Sequence, residues 1–250
     1  MKKIIAIGGG EIGRPGTKIE TCAIDREIIK SSGKTNPKLL FIPTASGDSD
    51  GYFATVKKYF GAKLKCQVDV LNLIANKLTV KEIKDKILNT DIVYVGGGNT
   101  LKMMKIWRRL GVDKILAEAY KRGVVMSGVS AGAICWFRCG NSDSLKFKNQ
   151  AAKLIKVNSL NFVDALLCPH YDKEIDRPAS LKAMMAKTSG IAIALDNCCA
   201  IEIIDDKYRI IKSQKAAKAY KIFWKNSKYY KIEIMPSKNF EALDALLKKD

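Results

Sequence analysis

One serine, one histidine and a handful of small residues could do chemistry in this chain. Ser130 is the centre of Gly128-Val129-Ser130-Ala131-Gly132, with a glycine two positions away on each side. A serine hydroxyl is a weak nucleophile until a base takes its proton. Small neighbours let such a serine sit in a strained strand-to-helix turn with its oxygen exposed. The same turn aims the backbone N–H of Ala131 at the charge that forms when a carbonyl is attacked. A second donor is expected from Gly97 or Gly98 in Gly96-Gly97-Gly98-Asn99, where backbone can approach a substrate unobstructed. The base has one candidate. His170, in Pro169-His170-Tyr171-Asp172, is the only histidine in the sequence. A lone histidine excludes a multi-histidine metal centre, and this chemistry calls for no metal and no cofactor. The orienting acid is less determined. Asp143 lies in a polar stretch between the two and gives the chain order Ser, Asp, His; Asp172 and Asp196 are alternatives.

Such residues need elements to hold them. Short apolar runs at 3–8, 39–42, 66–71, 91–95 and 123–127 read as strands. Helical spacing follows over 18–32, 52–59, 80–88, 100–109 and 112–121. A helix is also expected directly after the serine, over 131–137. This alternation predicts an α/β fold with a mostly parallel sheet flanked by helices. Functional loops then lie at the carboxyl ends of the strands. After residue 190 the pattern changes to short strands with polar turns, which predicts an antiparallel extension of the same sheet and a closing helix over 240–247. No linker or repeat interrupts the 250 residues, so one domain is expected.

Composition narrows the classes. Hydrophobic residues make up 47% of the chain, which suits a folded core. No apolar run approaches the roughly 18 residues that span a bilayer. The apolar N-terminus is too short for a signal peptide, so a cytoplasmic protein without membrane association is expected. Seven cysteines with no CxxC pair read as reduced core thiols. The formal net charge of +19 raises nucleic acid as a partner. The lysines are spread over nearly every element, however, with no aromatic interleaving, so no specific nucleic-acid binding is expected. Monomer and homodimer both remain open. Gly8-Gly9-Gly10-Glu11-Ile12-Gly13 matches a dinucleotide fingerprint, but Pro15 and Gly16 follow where a helix should begin. Those glycines read instead as a loop passing close to the site.

Taken together, Val95-Gly96-Gly97-Gly98-Asn99-Thr100, Gly128-Val129-Ser130-Ala131-Gly132-Ala133 and Pro169-His170-Tyr171 resemble the dipeptidase E and cyanophycinase family of serine peptidases. Ile42-Pro43-Thr44-Ala45-Ser46 and Gly8-Gly9-Gly10-Glu11 share the likeness, which covers most of residues 4–200. The resemblance implies a class I glutamine-amidotransferase-like fold. It implies Ser130 as nucleophile, His170 as base, Asp143 as third member, and Gly98 with Ala131 as the oxyanion hole. Dipeptidase E-like members cleave short peptides with an N-terminal aspartate; cyanophycinases cleave a β-aspartyl-arginine polymer. The expected activity is therefore that of a serine exopeptidase on short peptides, with Arg138 and Asn99 as candidate substrate contacts. A cyanophycinase-like or amidase-type hydrolase, or a non-catalytic binding protein, are the rival readings.

Overall fold

The computed structural model describes residues 1–75 and 77–249. Its centre is β1 (Lys3–Ile7), which runs parallel to β5 (Val125–Val129) on one side. Beyond β5 lie β4 (Ile92–Val95), β2 (Lys38–Ile42) and β3 (Gln67–Val70), all parallel. On the other side β10 (Cys199–Ile204) and β11 (Lys207–Lys212) are added antiparallel, with the short β14 (Glu241–Ala242) at the edge. Side chains alternate between two cores, as the period of two requires. Ile4, Ala6, Leu40, Ile42, Val93 and Val95 enter one; Ile5, Ile7, Leu39, Phe41, Ile92 and Tyr94 enter the other.

Helices cover both faces. The second core is closed by α1 (Cys22–Ser31), by α2 (Asp50–Val56) and by the π-helical turn that continues α2. The first is closed by α3 (Val80–Leu88), α4 (Thr100–Leu110) and α5 (Val112–Lys121). Asn99 caps α4 by accepting the Lys102 N–H at 2.9 Å.

The C-terminal strands depart from expectation. Only β10, β11 and β14 extend the first sheet. A second, six-stranded sheet is built from β6 (Phe137–Ser142), β7 (Ile155–Asn158), β8 (Val163–Cys168), β9 (Ala192–Leu195), β12 (Ala219–Lys225) and β13 (Lys228–Ile234). The reason is a helix the sequence pattern did not announce, α7 (Arg177–Met185), which carries the chain from β8 back to a parallel β9. Leu167, Ile193 and Leu195 of this sheet share the first core, while Leu166, Cys168 and Ala194 pack with Leu181 and Met185 of α7. The helix after Ser130 is also shorter than expected: α6 is the single turn Ala131–Ile134, because Phe137 already begins β6. The closing helix α8 is Leu243–Leu247. Among the described residues no helix is long and apolar enough to cross a membrane. All seven cysteines are free, and six are buried.

Asp25 lies fully buried on α1. Its Oδ2 accepts the Thr21 hydroxyl at 2.7 Å and the Tyr59 phenol at 2.9 Å, while Oδ1 has no partner. Burial pushes its pKa up to about 7 against these hydrogen bonds. An acid raised from about 3.9 in the unfolded chain favours folding fully below that pH, and its contribution is lost as pH rises through about 7. The loss amounts to at most about 4 kcal/mol. Asp25→Asn removes the titration. Thermal melts at pH 4.5 and pH 8 are expected to show the wild type losing at least about 5 °C relative to the variant across that interval. A difference between the two proteins that does not change with pH would refute this assignment.

Candidate active site

The site forms where carboxyl ends of strands from both sheets meet. Ser130 follows β5 and the Gly96–98 loop follows β4; His170 follows β8 and Asn197 follows β9. Ser130 sits at φ 57°, ψ −111°, a conformation that costs a non-glycine residue about 1–3 kcal/mol. The neighbouring glycines are required by contact. A Cβ on Gly128 would lie 2.6 Å from the Val95 carbonyl oxygen, and one on Gly132 would overlap the same atom. The corner is held by the Ser130 N–H, which donates to Ile7 O at 3.1 Å. A cavity of about 440 Å³ opens over the serine, and His170, Asn197, Gly97 and Gly98 line it with Ser130.

His170 also has a left-handed backbone, φ 51°, and its N–H donates to Gly8 O at 3.0 Å. Its Nδ1 lies 2.7 Å from Oδ1 of Asn197. None of the three expected aspartates holds that position. Asp143 lies in the turn after β6, on the side of Arg177, and does not line the cavity. Asp172 accepts the backbone N–H of Asn197 at 2.8 Å. Asp196 accepts the N–H of Lys218 at 2.9 Å, and burial, with Asp172 nearby, pushes its pKa up to about 6. In sequence, Asp196-Asn197-Cys198 offers an amide where a carboxylate is the expected partner; its one signal is its place in the turn after the strand ending at Leu195.

The glycine loop is pinned at both ends: Gly96 N–H donates to Ile42 O and Asn99 N–H to Ala45 O. Among the described residues the Gly97 and Gly98 amides between them are not drawn to a backbone acceptor, and both line the cavity. Gly98 has φ 138°, and a Cβ there would overlap the Ala45 carbonyl, so only glycine fits. Ala131 opens α6, so its N–H has no acceptor within the helix.

The remaining lining sets polarity. Glu11 and Arg14 form an ion pair at the rim. The Arg14 hydrogen bond holds the Glu11 carboxyl below the usual carboxylate range, and Glu11 in turn raises the guanidinium. Burial pushes the Tyr52 phenol up to about 12, so it stays neutral. Ile12 and the largely exposed Phe147 add apolar surface. The loop after β1 thus lines the cavity, and no helix starts on its glycines. The two expected substrate contacts lie elsewhere. Arg138 is 3.1 Å from Asp164 and donates to Ser189 O at 2.6 Å. Asn99 is spent on capping α4 and on Ser144 O at 3.0 Å. Neither lines the cavity over Ser130.

Comparison with known proteins points to a family. The chain is 37% identical over 226 residues to the uncharacterized peptidase YgaJ of Bacillus subtilis (strain 168), covering 89% of this chain and 92% of that one. It is 28% identical to the uncharacterized peptidase PM1590 of Pasteurella multocida (strain Pm70), over 71% of this chain and 86% of the other. The crystal structure of a peptidase from an acI-B1 Actinobacterium superposes with a TM-score of 0.70 at 16% identity, covering 97% of each chain. The model of peptidase family S51 matches residues 4–211, and the chain belongs to that family of serine-type peptidases.

Proposed function

We propose that this peptidase is an exopeptidase acting on dipeptides and other short peptides, with Ser130 as nucleophile and His170 as general base. One observation carries the reading: a serine in a strained corner shares a single cavity with the only histidine of the chain and with the Gly98 amide. Ser130 Oγ adds to the scissile carbonyl carbon while His170 takes its proton. The carbonyl oxygen, now anionic, accepts the N–H groups of Gly98 and Ala131. The C–N bond then breaks, and His170 returns the proton to the leaving amine. Water repeats the sequence on the acyl ester: His170 takes its proton, the hydroxide adds, and Oγ leaves with the proton.

The cavity volume of about 440 Å³ suits a ligand of a few residues. Selectivity follows from its rim. Among the described lining residues Arg14 is the cation, and Glu11 already holds it. An aspartyl side chain has to displace Glu11, whereas an apolar one meets Ile12 and Phe147. The reading therefore ranks Leu-X dipeptides above Asp-X.

Release of free amino acids from Leu-X, Asp-X and β-Asp-Arg dipeptides tests this. Hydrolysis of Leu-X is expected, with kcat reduced at least about 1,000-fold in Ser130→Ala. Activity that survives Ser130→Ala would sink the nucleophile assignment; Asp-X cleaved faster than Leu-X would overturn the selectivity alone.

Gly98→Ala tests the oxyanion hole separately. A methyl group there pushes the loop off Ala45 and moves the amide, so kcat is expected to fall by about 100- to 1,000-fold with KM little changed. Steady-state kinetics on the best dipeptide decide it, and an unaltered kcat would remove Gly98 from the site.

A further inference from the structure

We propose that Asn197 is the residue that orients His170, so that the relay runs serine, histidine, amide, with the Asp172 carboxylate acting one step behind through the Asn197 backbone. The inference rests on the serine mechanism above and deepens it. Its first support is contact: Asn197 Oδ1 lies 2.7 Å from His170 Nδ1. A carbonyl oxygen accepts only a proton carried on Nδ1, which leaves the Nε2 lone pair free for the Ser130 proton. The second support is confinement. The backbone of Gly9 presses against both side chains, and a Cβ at that position would overlap Asn197 Oδ1 and His170 Nδ1 together. The third is what backs the amide. Asp172 Oδ1 accepts the Asn197 N–H at 2.8 Å, and the N–H of the next residue, Cys198, donates to Gly9 O at 2.8 Å.

An amide differs from a carboxylate in two ways that can be measured. It supplies no charge to the imidazolium that forms when His170 takes a proton. It can also present either end to the ring, and its NH2 end would put the proton on Nε2, where it blocks the base. Other charged groups near the pair are Glu11 and Arg14 across the cavity, Glu20 beside Cys198, Lys173 beside Asp172, and Asp196 with Lys218 and Lys231. The Tyr52 and Tyr94 phenols, both raised by burial and so neutral, also line the cavity.

A fluorophosphonate probe reads the relay without a known substrate. Ser130 Oγ bonds to phosphorus, the P–F bond breaks, fluoride leaves, and the serine proton passes to His170. The full chain is labelled as wild type, Ser130→Ala, Asn197→Ala and Asn197→Asp between pH 5 and pH 9, with a thermal melt of each. Wild type is expected to label and Ser130→Ala not. Asn197→Ala is expected to label at least about 100-fold more slowly at unchanged melting temperature. Asn197→Asp keeps an acceptor on Nδ1, so its rate at pH 8 stays within about tenfold of wild type. Its new charge favours the imidazolium and moves the acidic limb of its rate profile up by about one pH unit or more. Labelling of Asn197→Ala within threefold of wild type would overturn the proposal, as would an Asn197→Asp profile superimposable on wild type. Should Asn197→Ala not fold, the Asn197→Asp profile decides alone. A folded wild type that does not label would overturn the serine mechanism itself, and this relay with it.

Discussion

Three consecutive carbonyl groups at the exit of β1 set the spacing of the candidate site. Ile7 O accepts the Ser130 N–H, Gly8 O accepts the His170 N–H, and Gly9 O accepts the Cys198 N–H. Ser130, His170 and Asn197 come from stretches far apart in sequence and follow strands of two different sheets. Each is registered against one short ruler, whose own position is fixed by a parallel neighbour on one side and an antiparallel one on the other. Backbone hydrogen bonds buried this way are costly to break, which is what makes the ruler stiff.

That stiffness is what lets the site hold unfavourable backbone. Ser130 and His170 both take positive φ without being glycine, and strain of this kind persists only where the surroundings over-determine it. Here the surroundings are β5, buried along its whole length, and a ladder that continues past the strand ends into both residues. The glycines of the corner have the complementary task of removing bulk where carbonyls of neighbouring strands pass. Strain and small residues are therefore two sides of one packing requirement.

Much of this was legible in the residues. The alternation of strand and helix through residue 129 follows from hydrophobic period, and the corner at Ser130 from small residues on a strand end. The lone histidine needed no geometry at all. What was not legible has physical reasons. Period-two alternation says that a segment is a strand but not which sheet it joins; it assigns β9, β12 and β13 to the first sheet, whereas α7 carries the chain into the second. A carboxylate is the obvious partner for an imidazole, so the sequence reading offers Asp143, Asp172 and Asp196 and does not consider Asn197. The contact of His170 is with Asn197, and three-dimensional proximity of residues 9, 170 and 197 has no trace in spacing. Arg138 illustrates the same limit: a cation close to Ser130 in sequence is held by Asp164 of β8 and by the Ser189 carbonyl in the connection between α7 and β9.

The ruler also dictates when the chain can become reactive. Ile7 pairs with Val129 and with Ala200, and the Gly9 carbonyl waits for the amide of Cys198. A chain emerging from the ribosome therefore carries Ser130 long before residues 170, 197 and 198 exist. Contacts this distant in sequence close late and slowly. The bonds from Cys198 to Gly9 and from Ala200 to Ile7 therefore close only after about four-fifths of the chain has been made, residue 198 of 250.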